Sequence, residues 1–167
     1  MQSLFNAVFL GIACATLVAQ TPAQPKATPK KESSMTMQAS GSFDVKLAPL
    51  TGDMAADPGL GRMSIDKQFH GDLDALSRGQ MLMVQAEVKG SAGYVALEKV
   101  SGTLQGHEGT FVLQHSGTMT RGVGQLLVTV VPDSGTGELK GLTGKMTIDI
   151  RDGQHFYSFD YILAPAP

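Results

Sequence analysis

Three ionisable side chains, Lys67, Glu98 and His115, occupy positions that the sequence pattern assigns to buried faces. Each lies in a segment where apolar and polar residues alternate. Each is separated from the apolar residues by an even number of positions, so it lies on their face of the strand. Those apolar neighbours are Met63, Ile65 and Phe69 for Lys67, Tyr94, Ala96 and Val100 for Glu98, and Phe111, Leu113 and Met119 for His115. Burying an unpaired charge costs several kcal/mol. We therefore expect Lys67 and Glu98 to pair with each other.

This set of side chains supports two interpretations. Burial and neighbouring charges can bring the proton affinities of such groups toward neutrality, as acid–base chemistry requires. In the first interpretation Glu98, His115 and Lys67 are candidate catalytic groups, and with Tyr94 they are candidate ligand-binding groups in a pocket. In the second they form a hydrogen-bonded polar plug that fixes strand register. The sequence favours the plug.

Asp152 is a candidate for a different chemistry because Gly153 follows it. An aspartate before glycine is unhindered, so its side chain can attack the next peptide group, which allows self-cleavage or an isopeptide link to an inward lysine. The alternative is a tight two-residue hairpin turn, for which Asp-Gly is a strong signal. The turn is the commoner outcome.

Asp133 and Ser134 follow an apolar run that ends at Pro132. Asp133 is a candidate carboxylate at a pocket rim, but Pro-Asp-Ser-Gly is more often a turn in which the Asp side chain accepts backbone N–H groups. A triad of Ser134, His115 and Asp133 lacks a nucleophile-elbow sequence around the serine. The turn is therefore the favoured interpretation.

No metal or cofactor site is predicted. The histidines are scattered, at His70, His107, His115 and His155. His70 falls on the polar face of its strand and His107 lies in a turn, which disfavours a shared metal site. The segment 135–137 resembles part of a phosphate loop, but neither a helix signature nor a Lys-Ser/Thr pair completes it.

Composition bounds the class of protein. The 167 residues are 42% hydrophobic and 17% charged, which is typical of one folded domain and not of a disordered chain. A formal net charge of −2 argues against a nucleic-acid-binding protein. The single cysteine, Cys14, rules out an internal disulfide and a cysteine-based zinc site.

The N-terminal part is predicted to be a leader and a tether. Residues 4–19 are uncharged and almost wholly apolar, yet short for a bilayer-spanning helix, so we assign 1–19 to a secretory signal. Gly11, three residues before Cys14, argues against a lipid anchor because leucine is usual there. Residues 20–37 are rich in Pro and Lys and predict a flexible tether. These features predict an exported protein, periplasmic or extracellular, without a membrane span.

Residues 38–163 predict an all-β domain, followed by a frayed tail at 164–167. Apolar and polar residues alternate with period two, and Gly, Asp and Pro clusters separate the runs. The predicted strands are 42–47, 62–69, 72–77, 80–89, 94–104, 109–119, 125–131, 145–151 and 154–163. A series of hairpins avoids exposed edges best by closing, so we expect one small antiparallel barrel with up-and-down connections.

Five stretches carry a resemblance to a family. They are Gly61-Arg62-Met63, Lys67 to Leu73, Gly90 to Glu98, Gly109 to Met119 and Val131 to Leu139. On these, residues 40–163 resemble a bacterial family of domains of unknown function whose fold is similar to the allene oxide cyclase and dirigent β-barrels. The resemblance implies that fold. It implies no reaction, although such barrels mainly shape a reactive substrate in a pocket.

Three classes of function follow. The favoured one is binding of a small, largely apolar molecule in the barrel interior, which the methionines, Met81 and Met83 among them, could line adaptably. The second is an enzyme, either a cyclase or isomerase acting through the inward polar groups or a self-processing protein cut at Asp152. The third is a packed structural or interaction domain with no pocket, since a small barrel can be filled by its own side chains.

Overall fold

The structure, a computed structural model, describes residues 35–51 and 59–163. Eight strands and one short 3-10 helix account for most of these residues. The strands are β1 (Met37–Pro49), β2 (Leu60–Gly71), β3 (Leu73–Gln85), β4 (Ala92–Leu104), β5 (His107–Thr120), β6 (Val123–Val130), β7 (Thr143–Arg151) and β8 (Gln154–Ile162). The 3-10 helix is Gly137–Leu139, between β6 and β7. The predicted signal segment with Cys14, nearly all of the tether and the tail at 164–167 lie outside the described residues.

The strands form one closed antiparallel barrel in which each strand pairs with the next and β8 returns to β1. This confirms the predicted all-β, up-and-down barrel. Closure joins Met37 to Tyr161 in register, while Phe43 pairs with Phe69 on the other side of β1. Because side chains alternate across a strand, the period-two pattern points one set of residues into the barrel. Among the described residues, no helix has the length and apolarity needed to cross a membrane.

The structure corrects one strand boundary. Two strands were predicted at 72–77 and 80–89, but β3 is continuous through Gly79 and ends at Gln85. A Cβ at Gly79 would overlap the backbone of Leu97 and Glu98. The glycine therefore marks a close approach of two strands and not a turn. At the N-terminal side, β1 begins at Met37, one residue before the predicted domain.

One end of the barrel, the closed end, is filled by apolar side chains. The connection from β6 to β7 carries the 3-10 helix, and its Leu139 and Leu142 are each 1% exposed. They belong to the same buried cluster as Leu73 and Leu104, which lie at the closed-end termini of β3 and β4. The connection therefore fills this end of the barrel with packed apolar side chains, and the core is solid here.

The opposite end, the open end, is less tightly closed. Only Val128 with Met146 and Thr129 with Lys145 pair β6 to β7 in the described chain. Beyond these pairs, toward the open end, Leu126 is 43% exposed and Ile150 is 61% exposed. The seam between β6 and β7 is thus open over several residues, and apolar side chains line it.

Candidate functional site

The predicted inward groups meet in the interior. Lys67 Nζ donates to Glu98 Oε1 at 2.9 Å, and His115 Nε2 lies 3.2 Å from the same oxygen. Ser77 Oγ donates to Glu98 Oε2 at 3.3 Å. We call Lys67, Ser77, Glu98 and His115 the polar cluster. They come from β2, β3, β4 and β5, so the cluster ties four strands together.

Sequence reasoning missed Ser77. Its signal was present, because Ser77 shares the inward parity of Leu73 and Ala75. The predicted strand, however, ended at 77, where a serine is an ordinary terminal residue. A strand continuous through Gly79 would have placed the hydroxyl inside, where a buried polar group needs a partner.

The cluster is almost completely removed from water. Glu98 is 0% exposed, and Lys67 and His115 are also buried. The Lys67 ammonium lies 4.8 Å from the ring centroid of Phe43 and 5.6 Å from that of Phe69. Lys67 is thus held by one carboxylate and by two aromatic faces, each of which favours a cation.

Glu98 remains ionised in this setting. Burial is the largest single influence on its pKa and raises it. The hydrogen bond from His115 and the charge of Lys67 act in the other direction and together outweigh burial, so the pKa of Glu98 is lowered from its usual 4.5. The cluster therefore contains an anion at neutral pH.

A cavity of about 660 Å³ opens between β3, β4, β5, β6 and β7 at the open end. We call it the open-end cavity. The large side chains around it are those of Met81, Met83, Tyr94, Met119, Leu126, Ile148 and Ile150, and Gly93, Gly117 and Gly124 line the spaces between them. Of the four predicted ligand-binding residues, Tyr94 alone lines this cavity among the described residues.

The polar cluster lies deeper in the barrel than the cavity. Glu98 is four residues further along β4 than Tyr94, a distance of about 13 Å in an extended strand. His115 is the inward residue next to Gly117 on β5, one step below the cavity wall. The interior therefore has three layers, which are the open-end cavity, the polar cluster and the solid closed end.

Tyr94 connects the upper two layers. Burial raises the pKa of its phenol above 10.0, and the negative charge of Glu98 raises it further. The ring covers Gly117, where an added Cβ would overlap it. Tyr94 thus lines the cavity with a phenol that is uncharged at neutral pH, and Gly117 leaves room for its ring.

Asp152 does not join these groups. It lies in the exposed turn between β7 and β8, where Asp152 has φ of 51° and Gly153 has φ of 80°. Two successive positive φ angles match the turn that Asp-Gly favours in hairpins. Self-processing at this position stays a prediction, tested by the intact mass of incubated protein, where an unchanged mass would end it.

The remaining candidates are used locally. Asp133 lies in the predicted turn, with φ of 60°. The side-chain hydrogen bonds to the backbone, which were expected from Asp133, are made by Ser134 instead. The Ser134 Oγ donates to the Val131 carbonyl at 2.7 Å and accepts from the Val112 N–H at 3.0 Å. The triad with His115 does not form, because His115 bonds to Glu98.

The exposed His70 pairs with Asp44 at 3.1 Å. Within residues 35–51 and 59–163, no three His, Cys, Asp or Glu side chains are grouped as metal ligands would be. The described residues therefore offer no cluster of the usual metal-ligating side chains.

Together the fold and the site define a closed eight-stranded barrel with a buried Lys–Glu–His cluster beneath an apolar cavity. The family described as "Protein of unknown function (DUF3224)" matches residues 39–161, and the chain belongs to it. This confirms the resemblance that the sequence stretches indicated.

One solved member of this family comes from Shewanella oneidensis MR-1 and is itself described as a protein with unknown function. It is 51% identical over 79% of this chain and 100% of its own, with a TM-score of 0.74. Among curated proteins none matches this chain. The comparisons therefore support the fold and the family.

Proposed function

We propose that this domain binds a small, largely apolar molecule in the open-end cavity. The observation that carries the proposal is the cavity itself, whose volume of about 660 Å³ lies within the range of about 300–1,000 Å³ common for ligand pockets. Its wall is mainly apolar, and its polar side chains are those of Tyr94, Thr118, Gln125 and Thr147. This is the usual balance of a site that takes up an apolar body and orients it by one or two polar contacts.

The methionines suit this role. Met81, Met83 and Met119 come from two strands and line one cavity. Their side chains are unbranched and polarisable, so they adapt to ligands of irregular shape. The seam between β6 and β7 offers a lateral entrance, because Leu126 of β6 and Ile150 of β7 line the cavity where their strands are not paired.

Tyr94 would supply the polar contact. Its raised pKa keeps the phenol protonated at neutral pH, so it can donate a hydrogen bond to a carbonyl or ether oxygen of the ligand. The polar cluster would support the site from below by holding β2 to β5 in register. We further propose that binding occurs outside the cytoplasm, on the strength of the apolar segment 4–19.

A second candidate function is proton transfer on a bound molecule, as in an isomerase or cyclase. It is favoured by one observation: Glu98 holds His115 Nε2, while His115 Nδ1 has no hydrogen-bond partner among the described residues. A carboxylate that fixes one ring nitrogen leaves the other for acid–base work. Incubating a bound molecule with wild-type protein and with His115→Gln, followed by chromatography of the product, tests this. The bound molecule should be converted by the wild-type protein and not by His115→Gln. Equal conversion by both proteins would exclude His115 as the acid–base group.

Uptake of the uncharged dye Nile red tests the binding proposal. We expect saturable binding with a blue-shifted emission, because the dye moves into an apolar site. Ile150→Glu places a carboxylate at the cavity rim and should weaken binding about tenfold, the loss expected when an apolar contact becomes a desolvated charge. Ile150 is 61% exposed, so the change should leave the barrel folded.

Two control variants sharpen this experiment. Val88→Glu changes another exposed apolar residue, 50% exposed, that does not line the cavity, and it should bind the dye like wild type. Leu97→Ser on the outer wall should also bind normally. If Ile150→Glu binds as well as Val88→Glu, or if no saturable binding occurs, the proposal is wrong and the packed structural domain is the better account.

A further inference from the structure

The outer wall of the barrel carries a second apolar depression, of about 830 Å³, across β3, β4 and β5. Its outward-facing apolar residues are Leu82, Val95, Leu97 and Val112. Val95 and Leu97 are each 55% exposed. They neighbour each other on the outer face of β4, where a soluble barrel would ordinarily carry polar side chains. We call this depression the outer groove.

The outer groove is rimmed by cations. Arg62, Arg78 and Lys99 line it, and Arg78 is directly opposite Lys99 in the β3–β4 register. Two like charges at such a position repel each other. Lys99 has no ion pair among the described residues, and Arg78 meets only the exposed Asp66, at 3.6 Å. The rim of the outer groove therefore carries an excess of positive charge.

Arg62 adds to this excess. Its Nε atom is buried and has no hydrogen-bond partner within the described residues. Among the described residues that line the groove, Glu98 is the single acidic one, and its side chain is fully buried inside the barrel, so it does not neutralise the rim. The chain as a whole is formally negative, at −2, which sets this face apart from the rest of the molecule.

The geometry points to a specific class of ligand. We propose that the outer groove binds a single-chain amphiphile with an anionic headgroup, such as a fatty-acid carboxylate, independently of the open-end cavity. The carboxylate would lie between Arg78 and Lys99, and the alkyl chain would run over Leu97 and Val95 toward Leu82. From Arg78 to Leu82 the strand advances four residues, about 13 Å, which suits a chain of medium length.

Charge argues against a second copy of the chain as the occupant. A symmetric dimer through this face would bring Arg62, Arg78 and Lys99 of both copies into one desolvated interface, with Asp66 as the only paired acid. An anionic ligand removes the repulsion that a second copy would double.

Methyl NMR during a decanoate titration below its micelle concentration tests the proposal. The methyl signals of Val95 and Leu97 should shift and saturate, while those of Met83 and Met119 in the open-end cavity should not. The double substitution R78Q/K99Q should weaken binding about tenfold or more, as the loss of charge-assisted contacts predicts. Arg151→Gln, at an exposed arginine paired with Asp149, is the matched control and should bind like wild type.

Three outcomes would overturn the proposal. Decanol, which has the chain without the charge, could bind as tightly as decanoate. Shifts could appear at the methionine methyls and not at Val95 and Leu97, which would move the ligand to the open-end cavity. Vesicles of anionic phospholipid could bind the protein while decanoate does not, which would make the face a membrane-docking surface. Failure of Nile red uptake would leave the proposal untouched, because that dye reports on the other site.

Discussion

Lys67 Nζ and Glu98 Oε1 lie 2.9 Å apart although their strands are not neighbours, since β3 runs between β2 and β4. The pair therefore crosses the barrel interior behind β3. Ser77 of β3 is hydrogen-bonded to the other oxygen of the same carboxylate. Three consecutive strands are thus joined through one side chain, and their register depends on it.

Glu98→Gln should destabilise the barrel by about 3–5 kcal/mol, because it leaves the Lys67 ammonium buried without its anion. The double variant K67M/E98Q should be less damaged than Glu98→Gln alone, since no unpaired charge remains. Urea unfolding measures both. Asp149→Asn removes an exposed ion pair and should cost no more than about 1 kcal/mol. If the double variant is less stable than Glu98→Gln, the loss of stability in Glu98→Gln does not come from the unpaired Lys67 ammonium.

The free energy of unfolding should decrease at acid pH because Glu98 becomes protonated. Its folded pKa lies below 4.5, so on acidification the unfolded chain takes up the proton first. The stabilisation from this group is complete above the unfolded pKa and is lost as pH falls through the folded pKa. Urea unfolding of wild type and Glu98→Gln as a function of pH should give curves that converge at acid pH. Parallel curves would show that Glu98 does not carry the effect.

Gly117→Ala should cost about 1–3 kcal/mol, the usual penalty for overpacking, because the new methyl group overlaps the Tyr94 ring. It should also change Nile red binding, since the displaced ring lines the cavity. Gly124→Ala is the matched control: Gly124 lines the same cavity, but an added Cβ meets no atom within 4 Å. Thermal melts should place Gly124→Ala near wild type and Gly117→Ala well below it.

Leu139→Ala should destabilise the closed end by about 2–5 kcal/mol, as buried leucine truncations do. Leu139 is 1% exposed, whereas Leu127 on the outer face of β6 is 47% exposed, so Leu127→Ala should have little effect. Chemical unfolding compares the two. Folded Leu139→Ala protein should still take up Nile red, because the solid end is separate from the cavity. Loss of dye binding without unfolding would contradict the three-layer interior.

The period-two pattern was sufficient to predict the barrel and the inward placement of Lys67, Glu98 and His115. It could not predict that His115 and Lys67 share one oxygen of Glu98, because parity gives the face of a strand and not its height in the barrel. Height depends on the stagger between strands, which is set by all eight pairings at once.

Ser77 and the open-end cavity were missed for related reasons. A glycine inside a strand and a glycine at a turn look alike in a sequence, so Gly79 divided β3 and removed Ser77 from the interior. The cavity lies at the end opposite the β6–β7 connection, whose Leu139 and Leu142 help to fill the closed end. Local alternation does not reveal which end such a connection covers.

The return of β8 to β1 also governs when the molecule can fold. Gln38 Nε2 donates to Asp160 Oδ1 at 2.9 Å across 122 residues of chain. Local hairpins can form early, but this contact closes a loop of nearly the whole domain, which is slow and entropically costly. During synthesis β1 keeps an unpaired edge until β8 has been made. The barrel therefore acquires its native closure only after the ribosome has delivered all eight strands.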